Sequence, residues 1–290
     1  MARLVAALAA TAIAAAPAAA QAEIILAPIE PWRASFNDGL CRMERTFSAS
    51  GVAHVLVLEQ VAPGDVLDIA LAGPSLAGIS QGKPLRLRFG EHDPGTEQLP
   101  FVAEQGPLGH LVILNDVTPG AASPSGRGSI NAGPVRPGID LEAIPGADRI
   151  AMAQDTLQIT LETGALTDAF LVLNECTAQI MVAWGLNPAV QNSLQRGSFP
   201  DRPRRLSETI LDGYPQGAVQ NNRGGTVRAA VLINASGAPT DCKIIATSGF
   251  VDLDRAACTG LMKGRYAAAL DADGKAVDSF WTTRITFSPG

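Results

Sequence analysis

TVRAAVLIN, residues 226–234, is a run of β-branched and aliphatic residues that stops at Ser236-Gly237. Such a run reads as a strand entering a turn. Ser236-Gly237-Ala238-Pro239 punctuates a hairpin, and residues 241–247 (DCKIIAT) form the returning strand. Residues 253–265 then place Leu253, Ala256, Ala257, Leu261 and Met262 at helical spacing, with Asp252 ahead of them as the expected N-cap. Asp273-Gly274 signals another turn. Beyond it Trp281, Thr283, Ile285 and Phe287 fall on one face of a last strand, and Thr282, Arg284 and Thr286 on the other. The order strand, strand, helix, strand predicts a small α+β unit, an antiparallel three-stranded sheet with one or two helices.

The landmarks Tyr214-Pro215, Gly225-Thr226-Val227, Ser248-Gly249, Leu253-Asp254 and Asp273-Gly274, with the closing strand 281–287, occur here in an ordered set. As a set they give residues 213–290 a resemblance to the C-terminal domain of TonB, the energy-transducing protein of Gram-negative envelopes. The resemblance implies the topology already read from the residues. It also implies an activity, because in that family the domain grips a short N-terminal segment of outer-membrane transporters, the TonB box, by strand addition. Carried over by position, the contacts are Trp281, Thr282, Thr283, Arg284, Ile285, Thr286 and Phe287. The physical basis is the unpaired row of N–H and C=O groups on an edge strand. The alternative is that Trp281, Ile285 and Phe287 are core and that the preceding domain covers the edge.

Residues 1–22 carry one positive charge at Arg3, an apolar run from Leu4 to Ala16, Pro17, and Ala18-Ala19-Ala20-Gln21-Ala22. This is the pattern of a cleaved secretory signal peptide, and the run is short of the ~20 apolar residues of a spanning helix. A periplasmic protein is expected, with an inner-membrane-anchored form as the alternative if the segment is retained. The rest of the chain suits two domains. Its charge is uneven: residues 214–290 hold eight Lys/Arg against six Asp/Glu, while residues 23–213 hold thirteen against twenty-two. Such an acidic chain is no general nucleic-acid binder.

Four cysteines in an exported chain imply two disulfides. Three connectivities are open, and division into domains favours Cys41 with Cys176 and Cys242 with Cys258. The second pair would clamp a helix to the small C-terminal sheet, and a loop of that length is worth roughly 3 kcal/mol in the chain-entropy model.

Residues 23–185 read as a mostly β domain closed by a helix. A helical or turn region is expected around Trp32 to Arg45. Strand-like runs follow at 54–59, 66–71, 85–89, 110–114 and 156–161, and a long Gly/Pro-rich loop at 118–138. Residues 164–184 carry Leu166, Phe170, Leu173, Thr177, Ile180, Met181 and Trp184 along one helical stripe, ended by Gly185. Residues 186–212 read as a linker with a basic cluster at Arg202, Arg204 and Arg205.

Chemistry is sparse. The three histidines, His54, His92 and His110, have no partner at metal-ligand spacing, and there is no nucleophile elbow, phosphate loop, dinucleotide fingerprint or Cys-x-x-Cys motif. Asp252 and Asp254 suit a helix start better than a catalytic pair. No catalytic residue, metal or cofactor is expected. The reading favoured by the sequence is a periplasmic protein whose TonB-like module binds a protein partner, such as an outer-membrane TonB-dependent receptor, by strand addition. A true energy transducer with residues 1–22 as anchor is one alternative. An envelope hydrolase or sugar-binding protein with its site in the N-terminal domain is another. An edge strand also permits a paired homodimer.

Overall fold

The computed structural model describes residues 23–37, 39–104, 106–120 and 137–289. The signal-peptide reading (1–22) and most of the long loop (121–136) lie outside the described residues. The N-terminal domain holds β1 (Glu23–Pro28), β2 (Arg33–Asn37), β3 (Leu40–Ala49), β4 (Val52–Gln60), β5 (Leu67–Ala72), β6 (Leu85–Phe89), β7 (Thr96–Gln98), β8 (Phe101–Glu104), β9 (His110–Val117), β10 (Ile150–Gln154) and β11 (Leu157–Leu161), followed by α1 (Leu166–Ala183). The strands form one sheet in the order β7-β6-β10-β11-β1-β3-β4-β5-β9-β8, with β2 attached to β3.

β1 joins the two halves of that sheet. Its first residues run parallel to β11, and at Ala27 and Pro28 it changes partner and runs antiparallel to β3. The sheet thereby curls, and period-2 alternation turns Leu56, Leu58, Ile69, Leu71, Leu85, Leu87, Val112 and Leu114 into one shared core. α1 closes that core with Leu166, Phe170 and Leu173, Phe170 meeting Phe89 edge-on at 6.2 Å. Cys41 on β3 and Cys176 on α1 are disulfide-bonded, with Cα atoms 5.9 Å apart. The region around Trp32 to Arg45, expected to be helical or turn, is instead the β2–β3 hairpin. Arg33, Ser35, Arg42 and Glu44 there alternate with Ala34, Cys41 and Met43, a period of two, and Cys41 and Met43 are buried.

The segment read as a linker carries α2 (Pro188–Asn192), β12 (Phe199–Pro200) and α3 (Pro203–Leu211). Pro188 and Pro203 start their helices in the first turn, where a missing N–H costs nothing. Leu206 and Ile210, one turn apart on α3, belong to the core of the C-terminal domain.

That domain continues through α4 (Gln216–Gln220), β13 (Gly225–Ile233), β14 (Pro239–Ala246), α5 (Val251–Leu261), β15 (Tyr266–Ala267), β16 (Ala269–Leu270), β17 (Ala276–Val277) and β18 (Ser279–Phe287). The main sheet is three-stranded and antiparallel, in the order β14-β13-β18. β12 pairs with β15, and β16 with β17. One face of the main sheet presents Val227, Ala229, Val231, Ile233, Ile285 and Phe287 to α3 and α5. α3 approaches α5 so closely that a Cβ on Gly260 would lie 2.9 Å from the Ile210 Cα, which accounts for a glycine inside a helix. Cys242 on β14 and Cys258 on α5 are disulfide-bonded, with Cα atoms 5.6 Å apart.

Candidate functional site

β18 is the last strand of the chain and lies at the edge of its sheet. It pairs with β13 over nine residues, from Ser279 opposite Ile233 to Phe287 opposite Gly225, with no break in register. Its other side has no strand on it among the described residues. Half of its backbone N–H and C=O groups therefore point away from the sheet, as in any edge strand.

The second edge, β14, is built differently. Its register against β13 shifts at both ends, it begins with Pro239, and it carries the ion pair Lys243–Asp241 at 2.7 Å. Proline, bulges and charge are devices that discourage further pairing. β18 has no proline or glycine, and Arg284 is its one charged residue.

The side chains of β18 divide as the alternation requires. Trp281, Thr283, Ile285 and Phe287 fall on the α5 side. Ile285 and Phe287 are buried and Trp281 packs partly buried against the same core. Trp281 leans on Tyr266 with ring centres 5.9 Å apart, and Phe287 on Tyr214 at 5.1 Å. The Tyr214 hydroxyl donates to the Arg223 carbonyl at 2.7 Å, and that of Tyr266 to the Leu261 carbonyl at 2.9 Å. Burial raises the Tyr266 pKa and keeps the phenol protonated as a donor. Tyr214 is thus a buttress behind the end of the edge strand.

The Ser248-Gly249 landmark sets the start of α5. Asp254 accepts from the Ser248 N–H at 2.9 Å and its hydroxyl at 2.8 Å, and from the Thr247 hydroxyl. Burial raises the Asp254 pKa, yet these hydrogen bonds outweigh it and the carboxyl titrates below its usual value. Asp252, expected as the N-cap, sits inside the first turn and pairs with Arg223 at 2.9 Å, and Phe250 holds the cap position without a side-chain bond.

The opposite face of the sheet carries Phe280, Thr282, Arg284 and Thr286, and it meets the N-terminal domain at two places. At one end Phe280 packs with Met181 and Leu186, flanked by Trp184 and Leu232. There Gln191 of α2 donates from Nε2 to the Asp278 carbonyl at 2.9 Å, and its Oε1 accepts from the Ser279 hydroxyl at 2.7 Å. At the other end Arg228 meets Asp68 and Asp116, and Arg284 meets Asp116, with a polar cleft beside them lined also by Glu59, Asn115 and Thr226. Arg228, Asp68, Asp116 and Gln191 escaped the sequence reading, since nothing local marks a side chain that acts across a domain boundary.

The histidines lie apart from this edge. His54 is fully buried, with Nδ1 against the Val52 carbonyl at 3.1 Å and Nε2 accepting from the Ser75 N–H at 3.3 Å. Those two partners require the neutral ring, and burial lowers its pKa. His110 Nδ1 lies 2.8 Å from Glu104 Oε1 on the β8–β9 hairpin. The Cys242–Cys258 bridge lies within the C-terminal domain and Cys41–Cys176 within the N-terminal one.

Residues 212–289 match the family model described as Gram-negative bacterial TonB protein C-terminal. The match takes in α4, β13, β14, α5 and β18, and begins just after α3. The C-terminal domain is therefore TonB-like, of a type found in the Gram-negative envelope. No curated protein matches the chain.

Proposed function

We propose that this protein binds an extended peptide segment of a protein partner along the outer edge of β18 by strand addition, and that it serves TonB-dependent transport. The observation that carries the reading is the nine-residue, unbroken pairing of β18 on one side only among the described residues. A guest strand would satisfy backbone groups that now face away from the sheet, and flanking side chains would supply specificity. Trp281, Thr282, Thr283, Arg284, Ile285, Thr286 and Phe287 are the residues proposed to meet it. Trp281, Ile285 and Phe287 hold the strand in place from the core side, while Thr282, Arg284 and Thr286 flank the guest. The partner class implied is the periplasmic segment of an outer-membrane transporter.

The reading is one of binding and not of catalysis, and it places the chain in the periplasm after export. Among the described residues no helix is long and apolar enough to cross a membrane. Intact mass of the chain from the envelope tests export, which expects a start after Ala20 or Ala22. For the edge, the isotope-labelled full chain is titrated with synthetic peptides copying N-terminal periplasmic segments of outer-membrane transporters. Amide shifts should change along Trp281 to Phe287 and not along β14, and silence at β18 would overturn the reading. The same edge would serve a second copy of the chain, which sedimentation analysis without peptide detects.

A further inference from the structure

Arg228 and Arg284 stand directly opposite one another on β13 and β18. Like charges in that position repel and weaken the pairing of their strands. The compensation comes from the other domain. Asp68 takes Arg228 at two points, 2.8 Å and 2.9 Å, and Asp116 bridges to Arg228 at 3.3 Å and to Arg284 at 3.1 Å.

The two carboxylates are placed for this task by the backbone. Across from Asp68 the pairing of β5 with β9 slips by one residue, so that Asn115 and Asp116 share the space of one. Asp116 has φ of +54°, and its N–H donates to Asp68 at 2.9 Å. A bulge of this kind re-aims a side chain, here toward the C-terminal sheet. Arg228 keeps 13 % of its side chain exposed and Asp68 17 %, so salt screens their pair weakly. Arg284 and Asp116, at 35 % and 36 %, are screened more. At the far end of the same face the Phe280 cluster lies next to the chain connection between the domains. The apolar end therefore suits a hinge, and the charged end is the part that can open.

We propose that Asp68, Asp116, Arg228 and Arg284 form a latch that closes the N-terminal domain over the back face of the TonB-like sheet, occupying Arg284 until a partner arrives. The link to a partner rests on the strand-addition reading, while the latch itself does not. A guest strand with a carboxylate level with Arg284 competes with Asp116 for it. Guest binding and domain opening then favour each other by linkage.

The test uses the full chain and the double variant Asp68→Asn with Asp116→Asn. Asparagine tolerates the left-handed backbone at 116 and retains an acceptor for its N–H at 68. Spin labels on added cysteines at Glu97 and Lys263, both exposed, report the interdomain distance, the four native cysteines being disulfide-bonded. The variant should broaden the distance distribution, and the wild-type chain should do so in part at 1 M salt (about a 3 Å screening length). A narrow distribution unchanged in both would overturn the latch. A seven-residue β-forming peptide with a central Glu should bind the variant at least about tenfold tighter than the wild type, and its Gln counterpart about equally. Equal affinity of both proteins for the Glu peptide would refute the linkage. Binding by neither protein would sink strand addition, leaving the distance measurement to decide the latch.

Discussion

Replacing Ile210 with alanine tests whether α3 is part of the C-terminal domain or a tether leading to it. Ile210 is buried, and its Cα and Cγ1 fill the space beside Gly260 where α3 crosses α5. Glycine has no side chain to move into the gap, so the cavity stays open on that side. Truncation of a buried isoleucine costs about 2–5 kcal/mol, with the upper part of the range where the site cannot collapse. The same change on a solvated linker costs less than about 0.5 kcal/mol. Native-state hydrogen exchange on the full chain separates the two, since the slowest β13 amides report global opening of their own domain. A loss of 2 kcal/mol speeds their exchange about 30-fold. Less than about a threefold change, with the amides of β3 and β4 as internal reference, would refute the packing argument.

Gly260→Ala provides a test of sign. Helix propensity alone makes alanine more stable there by about 1 kcal/mol, whereas the contact with the Ile210 backbone predicts overpacking worth about 1–3 kcal/mol. Net destabilisation is expected, and a raised melting temperature would contradict the close crossing. For His54 the folded pKa lies below the ordinary value of 6.5, so the unfolded chain binds the proton first. Stability of the N-terminal domain is therefore full above pH of about 6.5 and declines as pH falls toward the folded pKa. His54→Gln should flatten that slope in urea titrations, and an unchanged slope would assign it elsewhere. Reduction of Cys242–Cys258, a separation of 16 residues, should cost the C-terminal domain about 3 kcal/mol. Reduction of Cys41–Cys176, separated by 135 residues, should cost the N-terminal domain more, about 5 kcal/mol. Calorimetry with and without reductant measures both.

The parts of this fold that could be read in the sequence were those with a local cause. The aliphatic run 226–234, the period-2 strand 281–287 and the helical spacing after Asp252 carry their own signals; the structure places both strands within two residues of those bounds, and the helix starts two residues earlier and ends four residues earlier than 253–265. The β2–β3 hairpin reads as a helical or turn region in sequence because its alternation is short and broken by Asn37-Asp38-Gly39. Residues 186–212 looked like a connector because Phe199-Pro200 and Pro203 punctuate them, yet Leu206 and Ile210 already form a helical pair one turn apart. The partner of each half of the two-domain contact had no such signal. Asp68 and Asp116 are ordinary strand aspartates until a bulge aims them at arginines more than a hundred residues away.

Gln191 fixes a length. Its side-chain amide donates to the Asp278 carbonyl and accepts from the Ser279 hydroxyl, just where β18 begins. The stretch proposed to meet a guest, Trp281 to Phe287, is seven residues, or roughly 23 Å at 3.3 Å per residue. On the strand-addition proposal, a guest aligned with β18 would be measured before it is recognised. A guest residue beyond that footprint at the Asp278 end would meet an amide already engaged, and the register of the pair would be set by a stop at one end of the strand.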